Sequence, residues 1–239
     1  MKYPIQIFSL GPKIIELHWP KIIAEDVLLE IIALKNNIEN KYSPIISSIY
    51  HSYQVLSIQL KEIEYASEVT TWLKEFIKRP MSRENLPARW IWTVPVCYAP
   101  EIVSSQNQYL QEKNMDLETL IEYHTSKSFL LYFYGFLPGF MYLGGLPETL
   151  HIPRKTIPDR KISKGSVAIG GSQTGIYPVD SPGGWYVVGK TPVAIFENGQ
   201  VKLPFNPGDK VQFASISPQR YTELQEGSVH NWEKTAYCG

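Results

Sequence analysis

The chain predicts a small α+β domain followed by a larger, mainly β domain of the barrel or sandwich type. Three observations carry this. Apolar residues over positions 1–85 alternate between the two-residue period of a strand and the spacing of a helix face. The stretch Arg79 to Arg89, RPMSRENLPAR, is polar, is broken by two prolines and reads as a linker. From Phe129 onward turn residues recur between short apolar runs: eleven of the 16 glycines and seven of the 18 prolines fall between Phe129 and Pro192. Residues 1–85 and 86–239 are the two domains expected.

In the first domain, apolar alternation at Ile5 to Leu10, Ile14 to Trp19 and Tyr53 to Leu60 predicts half-buried strands. Lys21 to Asn40 carries Ile22, Ile23, Val27, Leu28, Ile31, Ile32 and Leu34 on one broad stripe and predicts a helix. Ala66 to Lys78, with Val69, Trp72, Leu73, Phe76 and Ile77 at helical spacing, predicts another. The second domain opens on a strand at Trp90 to Tyr98, followed by a polar helical insertion. Asp116 is the expected N-cap of a helix over Leu117 to Ser126 whose apolar face ends in His124. Strands are then expected at Phe129–Tyr134, Gly165–Ile169, Trp185–Val188, Val193–Phe196 and Lys210–Ala214.

Composition narrows the function classes. The 239 residues suffice for a sizeable core. Lysine plus arginine equal aspartate plus glutamate at 23 each, so no global field directs the chain to nucleic acid or an anionic membrane. The N-terminus lacks a signal-peptide pattern and no run reaches the ~18 apolar residues of a membrane span, which gives a cytoplasmic expectation. Cys97 and Cys238 stand far apart and read as reduced thiols. His18, His51, His124, His151 and His230 include no pair at metal-ligand spacing, so no metal site is expected.

Gly184 to Thr191, GWYVVGKT, satisfies the phosphate-loop pattern GxxxxGK[ST]. The pattern needs a helix after the loop, whereas WYVV is strand-like and Pro192 precedes another apolar run, so the match reads as a strand ending in a turn. Ser166, Ser172 and Ser181 lie in no nucleophile elbow. Asp180, before SPGG, reads as a cap on local amides, with general-base work as the lesser reading.

The candidate ligand contacts come from the glycine-rich segment and the helix before it. Arg154 offers a guanidinium that holds a carboxylate or phosphate bidentately, or else is a solvated loop cation. Gln173, Thr174, Tyr177 and Trp185 sit in glycine-rich turns that expose polar tips around a cleft, with Tyr177 and Trp185 alternatively core aromatics with one satisfied polar tip. His124 is either a polar ligand contact or a core histidine satisfied by a backbone carbonyl. Phe136, Phe140 and Tyr142 are candidate walls of a pocket or anchors of an interface.

At these residues the sequence resembles the family of 5-oxoprolinase B-type subunits, also called allophanate hydrolase subunit 1, which includes an inhibitor of a sporulation histidine kinase. The motifs are GFLPGFMYLGGLP (Gly135 to Pro147), PR at Pro153 and Arg154, GSVAIGGSQTGIYP (Gly165 to Pro178) and SPGGWYVVGKTP (Ser181 to Pro192). PVCY (Pro95 to Tyr98), His124 and PGD (Pro207 to Asp209) also match. Two departures stand out: APEIVSSQNQYL follows PVCY in place of a glycine-rich acidic segment, and Pro158–Asp159 replaces the second PR of a PRxxxPR pattern. The new anion falls near Arg154, with Arg160 and Lys161 as candidates to compensate it.

The resemblance implies a cyclophilin-like β-barrel after the α+β domain. It implies a non-autonomous subunit of an ATP-dependent 5-oxoprolinase that opens 5-oxoproline to L-glutamate, with ATP as co-substrate of the assembled complex. The partners implied are an allophanate hydrolase subunit 2-type protein and a lactam-utilisation-type subunit, and the ligand is a small lactam. Arg154, Gln173, Thr174 and Tyr177 would orient it, with His124 contributing. A regulatory protein that binds a histidine kinase is the alternative, and a domain that senses a small carboxylate is a third reading. No counterpart of the arginine-containing prolyl isomerase motif is present, so the barrel does not imply isomerisation.

Overall fold

The computed structural model describes residues 1–80, 86–226 and 233–237. Residues 81–85 of the expected linker, His230 and Cys238 lie outside the described residues. The chain divides into two compact units, Met1–Pro87 and Ala88–Gly239.

In the first unit the elements run β1 (Gln6–Ser9), β2 (Ile14–His18), α1 (Glu25–Tyr42), β3 (Ile46–His51), β4 (Val55–Leu60) and α2 (Ala66–Phe76). The strands form an antiparallel sheet in the order β1-β2-β4-β3. Strand alternation puts Ile15, Leu17, Leu56, Ile58 and Leu60 on the face that packs with Val27, Ile31, Leu34 and Ile38 of α1 and Val69 and Leu73 of α2. Helix α1 begins later than its apolar stripe suggests, so Ile22 and Ile23 fall outside it and are exposed. Glu25 and Asp26 occupy its first turn, where carboxylates complement the helix dipole. Strand β3 gives little signal in the sequence, because Ser47 and Ser48 interrupt its alternation at a bulge.

The second unit contains β5 (Arg89–Cys97), α3 (Gln106–Lys113), α4 (Leu117–Thr125), β6 (Phe129–Tyr134), β7 (Met141–Gly144), β8 (Asp159–Ile162), β9 (Ser166–Gly170), β10 (Gln173–Ile176), β11 (Ser181–Gly183), β12 (Tyr186–Lys190), β13 (Phe196–Glu197), β14 (Gln200–Val201), β15 (Lys210–Ile216), α5 (Pro218–Glu226) and β16 (Lys234–Tyr237). Seven strands form a ring in the order β12-β9-β10-β7-β6-β15-β5, closed where Lys190 of β12 pairs with Cys97 of β5. All these pairings are antiparallel except β15 with β5. The mainly β barrel expected from the turn spacing is therefore present, and β16 adds to the first half of β5.

The barrel interior is filled by Val94, Val96, Phe129, Leu131, Met141, Val167, Ile169, Ile176, Val188 and Phe213, among others. Asp209, 2% exposed, ties the barrel's start to the β15 turn: its carboxylate accepts from Trp90 N at 2.8 Å, Trp92 Nε1 at 2.9 Å and Asn206 N at 2.9 Å. Helix α4 starts as expected, with Asp116 accepting from Thr119 N at 2.7 Å. Gly184 to Thr191 is not a phosphate loop, since Tyr186 to Lys190 is a strand and the chain runs from it into a loop rather than directly into a helix. The expected strand at Val193–Phe196 is a loop except for its last residue, because Pro192 offers no amide and the Thr191 amide turns to Gly165 O at 2.9 Å.

Candidate functional site

Alternation along β9 and β12 gives the barrel wall two apolar faces. Val167, Ile169 and Val188 point to the interior, while Ala168 and Val187 belong to a second cluster with Phe140, Ile162, Tyr177 and Trp185. A cleft of about 290 Å³ opens at this second cluster. Phe136, Phe140, Tyr142, Arg154, Tyr177 and Trp185 all line it, so six of the nine candidate residues converge there.

Glycines set its shape. A Cβ on Gly170 would stand 2.6 Å from the Trp185 indole, so the bare backbone lets that ring lie against β9. A Cβ on Gly183 would fall on the Tyr177 hydroxyl. The floor is aromatic: Phe140 meets Tyr142, Tyr177 and Trp185 edge to face at 5.1, 5.2 and 5.3 Å between centroids. Phe136 stands at the mouth, 61% exposed, with φ +66°, a left-handed conformation that costs a bulky residue of order 1–3 kcal/mol. The turn holds it there through Leu137 N to Gly135 O at 2.8 Å and Gly135 N to Phe140 O at 3.1 Å.

The polar groups are few. The Arg154 guanidinium lies 5.5 Å from the Trp185 ring centre, and among the described residues no carboxylate forms an ion pair with it. Asp159, the anion at the departure from the PRxxxPR pattern, is paired with Lys155 at 2.6 Å. Lys161 pairs instead with Asp180 at 3.0 Å, so Lys155 is the cation that compensates Asp159 and Arg154 stays available. Tyr177 is 1% exposed, and burial pushes its phenol up to about 12 against the opposing effects of the Trp185 backbone amide and Arg154. It is therefore a protonated hydrogen-bond donor at neutral pH.

His124, Thr174 and Gln173 do not line the cleft. Period-2 alternation separates residues that lie together in the sequence: Thr174 shares the interior face with Ile176, and Gln173 lies on the other face, buried. Inside the barrel Thr174 Oγ1 donates to Ala168 O at 3.1 Å and so accepts from His124 Nε2 at 2.9 Å. His124 Nδ1 then accepts from the Tyr98 hydroxyl at 2.8 Å, which fixes the neutral Nε2–H tautomer. The imidazole is fully buried, stacks on Phe213 at 4.7 Å and has its pKa lowered to about 3 by desolvation. It is a core histidine, satisfied by two hydroxyls rather than by a carbonyl.

Asp180 accepts from Lys164 N at 2.8 Å, and that amide together with Lys161 holds its carboxyl below the usual range, as a local cap rather than a base. Cys97 is a buried free thiol whose pKa burial raises. Among the described residues, no cluster of three or more histidine, cysteine or carboxylate side chains could hold a metal, and no helix is long and apolar enough to cross a membrane. Pro158, Pro182 and Gly184 are cleft wall that sequence reasoning misses; the SPGG and PRxxxP patterns are the signal for them.

The family described as carboxyltransferase domain, subdomain C and D, matches residues 5–205. A 5-oxoprolinase B-type subunit of Bacillus subtilis is 40% identical over 143 residues, 59% of this chain and 59% of that protein. One of Haemophilus influenzae is 41% identical over 121 residues, 50% of this chain and 57% of that protein. The chain thus spans less than two thirds of the length of these relatives. The crystal structure of the Kluyveromyces lactis urea carboxylase superposes over 98% of this chain and 24% of that one, with a TM-score of 0.76 and 13% identity, a likeness of fold.

Proposed function

The chain belongs to the family of carboxyltransferase subdomain C and D proteins, and from that premise we propose that it is a subunit of a 5-oxoprolinase whose aromatic cleft binds the lactam. Relatives named as 5-oxoprolinase subunits at 40–45% identity support the reading. The observation that carries it is the Arg154 guanidinium, free of carboxylate partners among the described residues, at the mouth of a compact aromatic cleft. A guanidinium receives a carboxylate through two parallel hydrogen bonds, and aromatic walls suit a small ring. The Tyr177 hydroxyl accepts from the Trp185 amide, leaving its own proton to donate to the lactam carbonyl.

The lactam is a stable amide, and its opening to glutamate consumes ATP in the proposed reaction. A cleft of about 290 Å³ with one guanidinium suits a compact monoanion. The cleft lining also holds no carboxylate, imidazole or thiol to deliver water to the ring carbon. The remaining chemistry then falls to partners, an allophanate hydrolase subunit 2-type protein and a lactam-utilisation-type subunit, and this chain orients and polarises the substrate. The alternative of a histidine kinase inhibitor is not favoured, since the curated relatives carry enzyme-subunit names.

The test is 5-oxoproline-dependent glutamate formation with ATP by this chain alone, the partner subunits alone and the full set. Activity in the full set only is expected. Full activity of the partners without this chain would overturn the proposal.

A further inference from the structure

A second cleft, of about 340 Å³, lies in the barrel unit between the Ser163–Gly165 turn, the loop after β12 and helix α5. It includes the last two residues of the phosphate-loop pattern, Lys190 and Thr191, together with Lys164, Asp180 and Tyr221. Their backbone is already engaged: Lys190 lies in the β12 ladder opposite Ser166 and Cys97, the Thr191 amide donates to Gly165 O, and Pro192 has no amide. A chain of phosphates wrapped by main-chain amides is thus excluded. Side chains remain.

Those side chains carry a surplus of positive charge. Asp180 is engaged by Lys161 Nζ and by the Lys164 amide and also feels the Lys164 charge, whereas neither the Lys164 nor the Lys190 ammonium forms an ion pair within 4 Å among the described residues. Thr191, 3% exposed, accepts from Val193 N at 3.3 Å and keeps its own proton to donate. Gly165 lets the lysine-bearing turn approach the end of β12: its φ is +79°, and a Cβ there would meet Thr191 O at 2.7 Å.

We infer that this cleft is a second binding site, which takes the compact terminal oxyanion of a small molecule between Lys164 and Lys190. Carboxylate and phosphate share the chemistry. Two ammonium groups and a hydroxyl donor address either one as point charges, without the planar fork that makes Arg154 selective for a carboxylate edge-on. The inference is independent of the proposed lactam site, with which this cleft shares no lining residue.

The experiment is an amide-resonance titration of the full chain with inorganic phosphate and, separately, with L-glutamate, repeated for Lys164→Gln, Lys190→Gln and Arg154→Gln. Saturable shifts at Lys164, Thr191 and the start of α5 are expected with one or both anions. Each lysine substitution should weaken the affinity about fivefold or more, and added sodium chloride should weaken it as well. Arg154→Gln should leave these shifts unchanged. Both lysines are at or near the surface, so the variants should keep the wild-type spectrum elsewhere, which the same data check. Absence of saturation with both anions, shifts confined to the Arg154 cleft, or affinity indifferent to both lysine substitutions would each overturn the inference.

Discussion

The Trp185 indole packs against Gly170, where a Cβ would stand 2.6 Å from the ring, and carries the Arg154 guanidinium 5.5 Å from its centre. A backbone without a side chain thereby positions the one cation of the proposed lactam cleft. Gly170→Ala should push the indole outward, cost of order 1–3 kcal/mol by overpacking, and weaken lactam binding through Arg154. Thermal unfolding and 5-oxoproline titration of the variant measure both effects; an unshifted Tm with wild-type affinity would contradict this packing.

Gly183 and Tyr177 form a second such pair, since a Cβ on Gly183 would fall on the phenol oxygen. Gly183→Ala should destabilise by about 1–3 kcal/mol in the wild type and by less in a Tyr177→Phe background, where the oxygen is gone. A double-mutant cycle by urea unfolding gives the coupling, and additive effects would contradict the contact.

Phe136 should separate stability from binding. With φ at +66° and 61% of its surface exposed, Phe136→Gly should relieve about 1 kcal/mol of backbone strain while removing cleft wall. The expected variant is as stable as the wild type or more so, yet binds 5-oxoproline more weakly. Lower stability with unchanged binding would show that the aromatic ring serves packing alone.

The buried His124 makes a pH prediction. Its folded pKa, lowered to about 3, lies below the unfolded value near 6.5, so the unfolded chain binds the extra proton between those limits. Its contribution to stability is complete above pH 6.5 and is lost as the pH falls towards 3, at up to about 1.4 kcal/mol per pH unit. His124→Phe should be less stable at neutral pH and show a shallower loss over that window. Equal slopes in urea unfolding series would contradict the neutral buried imidazole.

The apolar elements are legible in the sequence where their period is unbroken. Phe129–Tyr134 and the start of α2 at Ala66 agree to the residue, because a continuous apolar run and a clear helical stripe leave little choice. Strands β10 and β11 are not legible, since QTGI and SPG carry the glycine and proline of turns. Their conformations are set by neighbours, through the pairing of β10 with β9 and of β11 with β8. The same gap blurs the site: without β10 as a strand, nothing separates Thr174 from Tyr177, and His124 cannot be matched to its hydroxyl partners. Arg154, Tyr177 and the aromatic wall meet at one cleft, as glycine- and proline-rich turns beside aromatics suggest, although of the rings Phe140, Tyr177 and Trp185 are buried and only Phe136 is exposed.

The most direct measurement is steady-state kinetics of the reconstituted set with Arg154→Gln, varying 5-oxoproline and ATP in turn. The account predicts a KM for 5-oxoproline raised about tenfold or more, the worth of one charge-assisted hydrogen-bonded contact, with the KM for ATP unchanged. An unchanged KM for 5-oxoproline in an assembled, active complex would contradict it and remove the aromatic cleft as the lactam site.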